Sequence, residues 1–397
     1  MKWIWQNYTQ IGFGEFAVRD HLSKFVKPNS KVICTFGGGS IDKNGARADV
    51  QNSLDLLQCE VRWEGGIPPN PEYDRLVEIA KVCKDFQPDV LLAVGGGSVC
   101  DGTKFISFAA RLENVDDAWD MYINRKFPEN PIPFGSVMTL PATGSEWDHS
   151  FVISKRSEKA KHDRVHRLAY PQFSLLDPRY AATLPQRQLS NGVFDAFCHC
   201  VDQYLTPQEV PMMDNFWLSL CKELVTIGPD VIKEGSSLEL KGRLFVSASF
   251  ALNGLFVLGK EDCWAIHTIG HQITAEFDVD HAATLSMVMP FLLENKFESR
   301  ISLLAKTAEF VFGIYEGTEE EKARKCIVEI RKFIRDLKLP LKLSDWKTDD
   351  GKEIQVNEGT VELLTQKVME SMNGEPFGFR QSFNADDVRS ILAHVIY

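Results

Sequence analysis

The stretch VLLAVGGGS, residues 90–98, decides the fold class because an unbroken apolar run leads directly into a glycine turn. Such a run is typical of a strand that is buried on both faces of a parallel sheet. The same arrangement occurs in KVICTFGGGS, residues 31–40. Between them lie a strand candidate at 59–63 and a segment, Tyr73–Phe86, whose apolar side chains share one helical stripe. This alternation predicts an open, doubly wound, mostly parallel sheet.

Beyond these elements, strand signals continue to about residue 185 and helical periodicity then takes over. Further strand candidates are SVMTL at 136–140, SFVIS at 150–154 and FSLLD at 173–177. The helical candidates are Met212–Ile227, Leu238–Leu258, Leu285–Ile314 and Thr318–Leu337. We therefore predict an α/β N-terminal domain over 1–184 and an all-α C-terminal domain over 185–397.

Composition excludes several classes of function. The 397 residues are 44% hydrophobic and 25% charged, and 44 Lys and Arg against 55 Asp and Glu give a net charge of −11. This charge argues against nucleic-acid and anionic-membrane partners. The N-terminus lacks the features of a signal peptide, no apolar run approaches the roughly 20 residues that span a bilayer, and the nine cysteines form no C-x-x-C pair. We expect a cytoplasmic protein.

Glycine turns at the carboxyl ends of parallel strands suit a pyrophosphate. There the phosphate oxygens can approach the backbone and meet free N–H groups at the positive end of a helix. A third such loop is PATGSE at 141–146. None of these matches the G-x-G-x-x-G fingerprint, and glycine turns also occur for purely steric reasons. Two copies on parallel strands favour the dinucleotide.

Four histidines and one aspartate predict a metal site in the second half. Asp195 and His199 are spaced i, i+4, as are His267 and His271, and His281 follows ten residues after His271. Such pairs project from one helix face and can converge on a divalent cation. The alternative is a set of hydrogen-bonded core histidines, which the repeated spacing makes less favourable. Mixed nitrogen and oxygen donors suit either Zn²⁺ or Fe²⁺.

Three motifs in this order and spacing resemble a known family. PATGSE, NGVFDAFCHCVDQY at 191–204 and WAIHTIGHQITAEFDVDHAATLSMVMP at 264–290 resemble the iron-containing (group III) alcohol dehydrogenases over nearly the whole chain. The similarity is greatest to the butanol dehydrogenase and NADPH-dependent aldehyde reductase branch. The resemblance implies the fold shared with dehydroquinate synthase. It also implies hydride transfer between NADP(H) and a primary alcohol or aldehyde, such as butanol or butanal, by an enzyme that commonly forms homodimers.

The resemblance also implies roles for individual residues. The four metal ligands would be Asp195, His199, His267 and His281, and His271 would be the catalytic histidine between substrate and nicotinamide. The positions that would contact the cofactor are Gly38, Gly39, Ser40, Asn70, Gly95, Gly96, Gly97, Ser98, Asp101, Thr139, Thr143 and Lys161.

The sequence departs from the family pattern at three places. Family members that prefer NAD resemble one another in having Asp at the position of Gly38, so glycine there favours NADP, with Lys43 as a counter-charge. However, Asp42 stands where NADP-using relatives tend to have lysine, which leaves NAD possible. Trp147-Asp148-His149 replaces smaller residues and puts the size of the substrate in doubt. Asp202 replaces a frequent Glu.

Two other classes of function remain as alternatives. A non-redox lyase resembling 3-dehydroquinate synthase would use the same fold with NAD and a metal. Its Glu-His-His ligand set and basic substrate site fit this acidic chain less well. The second alternative is a binding or structural protein. In that case both the glycine turns and the spaced set of aspartate and histidines would have arisen by coincidence.

Overall fold

The computed structural model describes residues 2–348 and 351–397. It contains two compact units, each built from separate pieces of the chain. These are Gln6–Leu189 with Glu234–Asn253, and the residues up to Trp5 with Ser190–Lys233 and Gly254–Tyr397. We call them the α/β unit and the helical unit. The domain limits of 1–184 and 185–397 stay a prediction. They divide the chain at one point and so do not include Glu234–Asn253 in the N-terminal part, although this segment packs in the α/β unit.

The strands all belong to the α/β unit. In chain order they are β1 (Gln10–Phe13), β2 (Lys31–Phe36), β3 (Glu60–Glu64), β4 (Val90–Gly95), β5 (Phe134–Met138), β6 (Ser150–Lys155), β7 (Ala160–Val165) and β8 (Phe173–Leu176). Six of them form one sheet in the order β1-β8-β5-β4-β2-β3, and every pair in it is parallel. The predicted α/β fold class with a parallel sheet is therefore confirmed.

The helices follow the predicted change from α/β alternation to helix alone. They are α1 (Ala17–His21), α2 (Ser40–Lys43), α3 (Ala46–Leu56), α4 (Tyr73–Phe86), α5 (Gly97–Ala109), α6 (Ala118–Ile123), α7 (Gln186–Tyr204), α8 (Pro211–Val231), α9 (Leu238–Leu252), α10 (Ala265–Phe277), α11 (His281–Asn295), α12 (Ile301–Phe312), α13 (Glu319–Asp336), α14 (Thr360–Ser371) and α15 (Ala385–Ile396). Among the described residues, none of these helices has both the length and the apolarity that a bilayer crossing requires.

The sheet is buried on both faces, which explains the unbroken apolar runs of β2 and β4. One face packs against α4 and α5, with Phe105 and Ile106 of α5 in its core. The other face packs against α1 and α3, with Val50 and Leu54 of α3 in its core. Apolar side chains are needed on both sides of these strands, so no polar alternation is visible in their sequence.

The strand order changes direction between β2 and β4. The chain continues from β2 to β3 at one edge of the sheet, whereas from β4 it continues through β5 towards β8 on the other side. Phe36 of β2 lies beside Val94 of β4, and Gly95 lies beside Met138 of β5. The two glycine turns therefore flank the topological switch point, where open α/β sheets bind their ligands.

The segment 150–154, predicted as a strand, is not part of this sheet. It forms β6, which pairs with β7 as an antiparallel hairpin from Ser150 opposite Val165 to Lys155 opposite Ala160. The hairpin is tied to the loop after β3, because Ser154 N–H donates to the carbonyl of Pro71. A two-stranded hairpin with one face against the unit needs only one apolar face, which Phe151 and Ile153 of β6 supply.

The predicted helix Leu285–Ile314 is two helices in the structure. α11 ends at Asn295, a short 3₁₀ turn spans Glu298–Arg300, and α12 begins at Ile301. The side chain of Arg300 is buried in this break, where it donates to the carbonyl of Leu205 at 2.8 Å. Apolar periodicity continues across the break because both helices face the same core, so it gave no signal of the interruption.

Candidate metal centre and cofactor edge

Three helices of the helical unit bring the predicted metal-binding residues together. Asp195 and His199 lie one turn apart on α7, His267 lies in the first turn of α10, and His281 is the first residue of α11. Asp278 caps α10 with φ of 53°, so the chain reverses within three residues and α11 returns beside α10.

A hydrogen bond from α7 fixes the start of α11. The side chain of Asn191 on α7 donates to Asp280 at 2.8 Å, and Asp280 directly precedes His281. One helix therefore carries two members of the cluster and also positions the element that carries a third.

One carboxylate oxygen lies at the centre of this arrangement. Oδ1 of Asp195 is 3.7 Å from Nε2 of His199, 3.8 Å from Nε2 of His267 and 3.7 Å from Nε2 of His281. These distances are too long for hydrogen bonds. With metal–ligand bonds of 2.0–2.2 Å, the ligand atoms of a tetrahedral site lie roughly 3.3–3.6 Å apart. Oδ1 of Asp195 therefore lies nearly as far from each of the three nitrogens as one ligand atom of a divalent metal lies from another. The ligand atoms of Asp195, His267 and His281 also lie within 4.8 Å of one another.

The burial of these side chains supports the same interpretation. The side chains of Asp195, His199 and His267 are 5%, 7% and 8% exposed, while that of His281 is 23% exposed. Nε2 of His267 is buried and has no hydrogen-bond partner among the residues that the structure describes. A buried imidazole nitrogen without a partner is costly unless something binds it. A cation held between these donors would satisfy it.

Asp202, one helical turn beyond His199 on α7, orients His267. Its Oδ2 lies 2.7 Å from Nδ1 of His267 and also accepts the backbone N–H of that residue at 3.2 Å. The second oxygen accepts the N–H of Ile266 at 3.3 Å. Asp202 thereby caps the first turn of α10 and holds the Nδ1 proton of His267. Nε2 of His267 then presents its lone pair towards Asp195. In metal-binding histidines, likewise, one ring nitrogen donates its proton to such a partner and the other binds the metal.

The electrostatics of His267 also favour cation binding. Burial by itself would lower the pKa of this imidazole. The negative charge of Asp195, together with the hydrogen bond and the charge of Asp202, outweighs burial and raises the pKa to about 9. The two carboxylates therefore stabilise positive charge at this position, and a metal would compete with a proton for the same nitrogen.

His271 lies beside the cluster but not in it. It is one turn beyond His267 on α10, and its ring centroid is 5.0 Å from that of His281 and 6.2 Å from that of His267. The side chain is 9% exposed. His271 thus lies next to, rather than among, the four residues predicted to bind the metal, and its catalytic role stays a prediction.

The first glycine turn, Gly37-Gly38-Gly39-Ser40, is open to a ligand. A Cβ built at Gly38 or at Gly39 would meet no protein atom within 4 Å. Neither glycine has a positive φ, so neither backbone strain nor close packing within the fold requires glycine there. A Cβ at Gly37, in contrast, would lie 3.1 Å from the carbonyl oxygen of Ile67, so packing accounts for that glycine. The steric explanation therefore fails for Gly38 and Gly39, where close approach of a ligand to the backbone remains.

The second glycine turn differs, because internal packing explains two of its glycines. A Cβ at Gly95 would lie 2.6 Å from the side chain of Val99, and one at Gly97 would lie 2.2 Å from Thr143. These contacts bring the N-terminus of α5 against the PATGSE loop. Ser98 follows in the first turn of α5, where N–H groups point out of the helix.

Other predicted cofactor residues surround the same edge. Asp101 accepts hydrogen bonds from Ser145 Oγ at 2.6 Å and from Val152 N–H at 3.0 Å, and its burial raises its pKa to about 6. Thr139 is buried after β5, with its N–H donating to Gly95. Lys161 on β7 donates to Asn70 at 2.9 Å. The hairpin thus brings a lysine to the loop that follows β3.

Trp147-Asp148-His149 is packed inside the α/β unit. Asp148 is 3% exposed and forms an ion pair with Lys104 of α5, which is fully buried. The ring of Trp147 packs edge-on against Phe250 of α9 at 5.0 Å, and His149 stacks on Tyr170 at 4.6 Å. Sequence reasoning missed the partner of Asp148. The sequence signal was a lysine followed directly by the apolar residues Phe105 and Ile106 of α5.

Fold and site together define a class of protein. A doubly wound parallel sheet with open glycine at its switch point, in a chain whose helices gather one carboxylate and three imidazoles, is typical of nicotinamide-dependent dehydrogenases that carry a metal.

Comparison with known proteins identifies the family. Residues 9–178 match the family described as iron-containing alcohol dehydrogenase, and residues 190–396 match the C-terminal region of the Fe-containing alcohol dehydrogenase family. The chain belongs to the iron-containing alcohol dehydrogenase family.

Its relatives include well-covered full-length proteins. The NADPH-dependent aldehyde reductase YqhD of Escherichia coli K12 is 39% identical over 86% of this chain and 88% of the relative. The probable NADH-dependent butanol dehydrogenase 1 of Bacillus subtilis 168 is 32% identical over 97% of each chain. The crystal structure of E. coli YqhD superposes with a TM-score of 0.92, covering 99% of this chain and 98% of that one at 35% identity.

These comparisons confirm the family and the branch that the motifs indicated. The predicted activity, that of an alcohol dehydrogenase or aldehyde reductase, is confirmed, and the relatives give no support to the lyase alternative. A nicotinamide cofactor and an iron-binding family are likewise supported. One relative is named for NADPH and another for NADH, so the names do not decide between the two cofactors.

Proposed function

We propose that this chain is a metal-dependent NADP(H) alcohol dehydrogenase and aldehyde reductase that acts on primary alcohols and aldehydes such as butanol and butanal. The observation that carries the proposal is the position of Asp195 Oδ1, 3.7–3.8 Å from the Nε2 atoms of three histidines. The names of two relatives, an aldehyde reductase and a butanol dehydrogenase, support the class of substrate.

Asp195, His199, His267 and His281 would hold one divalent metal, either Fe²⁺ or Zn²⁺. When bound, such a metal acts as a Lewis acid towards the oxygen of an alcohol or aldehyde and makes it easier to ionise or to reduce at carbon. The mixed donor set of one carboxylate and three imidazoles suits both ions.

The chain's own residues would control the protons. Asp202 keeps a proton on Nδ1 of His267, which leaves Nε2 of the same ring as a donor atom. His271, with its ring 5.0 Å from that of His281, would relay the proton that the substrate oxygen loses on oxidation or gains on reduction. The hydride would pass directly between the substrate carbon and the nicotinamide.

The α/β unit would bind the dinucleotide at the switch point of its sheet. Gly38, Gly39 and Ser40 would approach the adenosine ribose, and the turn from Gly95 to Ser98 would receive the pyrophosphate at the start of α5. The remaining contacts would come from Asn70, Asp101, Thr139, Thr143 and Lys161. We choose NADP over NAD because Gly38 offers room and no carboxylate. In this proposal, 1–184 is the dinucleotide-binding domain and 185–397 the metal-binding domain.

Steady-state kinetics on the reconstituted protein test this function. Metal-free protein is loaded with Fe²⁺ or Zn²⁺ and assayed with butanal and either NADPH or NADH. We expect metal-dependent oxidation of NADPH, a smaller kcat/KM with NADH, and net formation of reduced cofactor from butanol. Absence of net cofactor reduction from butanol under every metal condition would contradict the proposal.

Substitutions in the cluster separate ligands from the proton relay. We expect Asp195→Ala and His267→Ala to lose metal and activity together, because each removes a donor atom. His271→Ala should keep the metal and lose roughly 10²- to 10⁴-fold in kcat, as loss of a general acid or base does. Metal content and turnover are measured on the same samples, with His394→Ala on α15 as a histidine control. Full metal and activity in His267→Ala would remove the ligand assignment.

Family resemblance carries two further proposals, that the chain forms a homodimer and that it acts in the cytoplasm. Sedimentation of the purified protein over a range of concentrations measures the first, and fractionation of cells of its source measures the second.

A further inference from the structure

An open cavity of about 340 Å³ lies on the α/β unit beside the first glycine turn. It is lined by Asp42, Arg47, Ala48, Gln51, Asn52 and Trp63. These residues come from α2, α3 and β3. Because α2 begins at Ser40, directly after the open glycines Gly38 and Gly39, the cavity is continuous in sequence with the turn proposed to bind the adenosine ribose. Its volume is at the lower end of the range, roughly 300–1,000 Å³, that small-molecule sites occupy.

Arg47 is held in this cavity by two aromatic rings. Its guanidinium carbon lies 4.4 Å from the ring centroid of Phe36 and 4.4 Å from that of Trp63. The indole of Trp63 is fixed in turn, since its Nε1–H donates to Gln51 at 2.7 Å. Stacking on aromatic faces leaves the edge of a guanidinium, with its planar set of N–H donors, available to an acceptor.

The one carboxylate in the cavity lies against Arg47. Oδ1 of Asp42 is 2.7 Å from Nε of Arg47, and the two side chains are 54% and 29% exposed. The aspartate that replaces a lysine in the sequence is therefore neutralised by an arginine five residues later. The pair has no net charge, so Asp42 reduces the attraction for an anion, and it occupies Nε while the two terminal nitrogens of the guanidinium remain as donors for an anion.

The position of Arg47 is not explained by the stability of α3. Arg47 is the second residue of this eleven-residue helix. Positive side chains are unfavourable at the N-terminus of a helix, where the partial charge of the backbone is also positive. An anion bound by Arg47 would be stabilised by the guanidinium and by the partial positive charge at the N-terminus of α3.

We propose that Arg47 is the residue of this chain that binds the 2′-phosphate of NADP(H), and that Asp42 weakens the preference for NADP(H) over NAD(H). The inference rests on the proposed function, because it assumes that the adenosine end of a nicotinamide dinucleotide lies at the first glycine turn. An arginine near this point of a dinucleotide-binding sheet is suited to a 2′-phosphate, which it can bind with two parallel N–H donors.

Lys43 is the other candidate for this role, and the structure distinguishes it from Arg47. Lys43 is the last residue of α2, it is exposed, and it is not among the residues that line the cavity. A lysine on a flexible exposed stem would contribute a point charge to the phosphate but no bidentate geometry.

Calorimetric titration of the full chain with adenosine 2′,5′-bisphosphate and with ADP tests the inference without any turnover. Wild-type protein should bind the 2′-phosphorylated nucleotide more tightly. Arg47→Met should weaken that binding roughly tenfold to a hundredfold, the usual effect of losing a charged hydrogen bond, and should leave ADP binding within about twofold. Arg47→Lys should fall between them. Asp42→Asn should strengthen binding of the bisphosphate, and Lys43→Met should change it by less than about threefold.

Any of three results would overturn the inference. In the first, Arg47→Met binds the bisphosphate as wild type does, and in the second, Lys43→Met carries the loss. Equal binding of both nucleotides by the wild-type protein would also overturn it. Assays of the same samples with butanal and each reduced cofactor keep the two proposals apart. If the protein turns over butanal in a metal-dependent way but binds both nucleotides equally, the proposal for Arg47 is wrong and the dehydrogenase function is not affected. If there is no turnover with either cofactor, the proposed function itself is wrong.

Discussion

At the scale of single residues, Asp202 decides which nitrogen of His267 faces the other donors. Its carboxylate contacts both the ring and the backbone of His267, so it sets the tautomer of the imidazole and the direction of the side chain together. Partners of this kind raise the basicity of a ligand and hold it in place before the metal arrives. We therefore class Asp202 as a positioning residue.

Asp202→Asn should weaken metal binding without unfolding the protein. Asparagine has the same shape but no charge, so it holds the Nδ1 proton of His267 less firmly and lowers the basicity of Nε2. We expect metal affinity to fall about 10- to 100-fold, the usual result of losing such a partner. Competition with a chelator measures the affinity. The control is Asp230→Asn, an exposed aspartate of α8 in the same unit, and equal affinity in the two variants would contradict the role of Asp202.

Gly38→Asp should reverse the cofactor preference without a structural cost. The new side chain has space, because a Cβ at this position meets no atom within 4 Å. Its carboxylate would repel a 2′-phosphate and accept a hydrogen bond from a ribose hydroxyl. We expect kcat/KM for NADPH to fall at least about tenfold, since like charges brought together at a binding site cost a few kcal/mol.

The control for that experiment is Gly38→Ala, which fills the same space without the charge. Unfolding temperatures of both variants should match that of the wild type. If Gly38→Ala loses NADPH as strongly as Gly38→Asp does, then room for the backbone matters more than charge at this position.

Individual site residues differ in how far sequence could predict them. Asp195 and His199, like His267 and His271, share a helix face at fixed spacing, so their proximity follows from helix geometry alone. The roles of Asp202 and Arg47 depend on contacts between elements. Arg47 meets Trp63 only because β2 and β3 pair in a register that places Cys34 beside Trp63. No local pattern encodes that register.

At the scale of elements, α5 joins the proposed pyrophosphate site to the interior of its unit. Its N-terminus is pressed against Thr143, and Lys104 in its third turn is fully buried against Asp148. Lys104 also donates to the carbonyl of Ser150 at 2.7 Å, at the start of β6. One lysine therefore anchors the helix to Asp148 and to the first residue of the hairpin.

Asp148→Ala should destabilise the α/β unit strongly. The substitution leaves the Lys104 ammonium buried without its carboxylate, which typically costs 3–5 kcal/mol in the free energy of unfolding. Denaturant unfolding measures this value. Asp163→Ala on the exposed side of β7 is the control and should change it by less than about 0.5 kcal/mol. A loss below 1 kcal/mol for Asp148→Ala would show that the ion pair is not needed. The double variant Lys104→Met and Asp148→Leu should recover much of the loss.

Elements with a strong period were predicted well. Tyr73–Phe86 is a helix with the predicted limits, and 31–36 is a strand as expected. The strand β1 was missed, because four residues at a sheet edge leave too short a pattern. The helix predicted over Leu238–Leu258 ends at Leu252, just before Asn253 and Gly254, where φ of 77° at the glycine stops the helix. These errors occur where one residue, rather than a repeated pattern, decides the structure.

At the scale of the whole molecule, buried acids in the α/β unit make stability depend on pH. Glu146 is 1% exposed, its Oε1 accepts a hydrogen bond from Ser249 of α9, and burial raises its pKa to about 7 from an ordinary value near 4.5. The native state therefore binds more protons than the unfolded chain between these values. Stability contributed by protonated Glu146 is present below pH 4.5 and is lost as the pH rises towards 7.

Glu146→Gln should remove this component, since the amide keeps the shape and does not ionise. The free energy of unfolding of the variant minus that of the wild type should grow between pH 5 and pH 7, by an amount on the order of 1–3 kcal/mol. Chemical denaturation at several pH values gives the difference. The substitution Asp163→Asn, at an exposed acid of the same unit, should show no such trend. A difference independent of pH would mean that Glu146 is already ionised at pH 5.

The architecture of the whole chain was largely predictable, because the change from alternating strands and helices to helices alone is written in the hydrophobic periods. The assignment of each helix to one of the two units was not predictable. The sequence of α9 predicts one more amphipathic helix of the second half, yet α9 packs in the α/β unit. Its residues Ala248 and Leu252 contact Gly144, and its Gly242 contacts Phe13 and Pro178. Such packing is a property of surfaces that meet only after folding.

The place of α9 in the α/β unit has a consequence for synthesis. A ribosome that has released the first 189 residues has made every strand of the sheet, but not the helix that covers Glu146 and the PATGSE loop. The nascent chain must wait for 64 further residues, up to Asn253, before this unit is complete. During that interval the apolar surface beneath α9 is exposed to water, and a chaperone would bind the nascent chain at this surface.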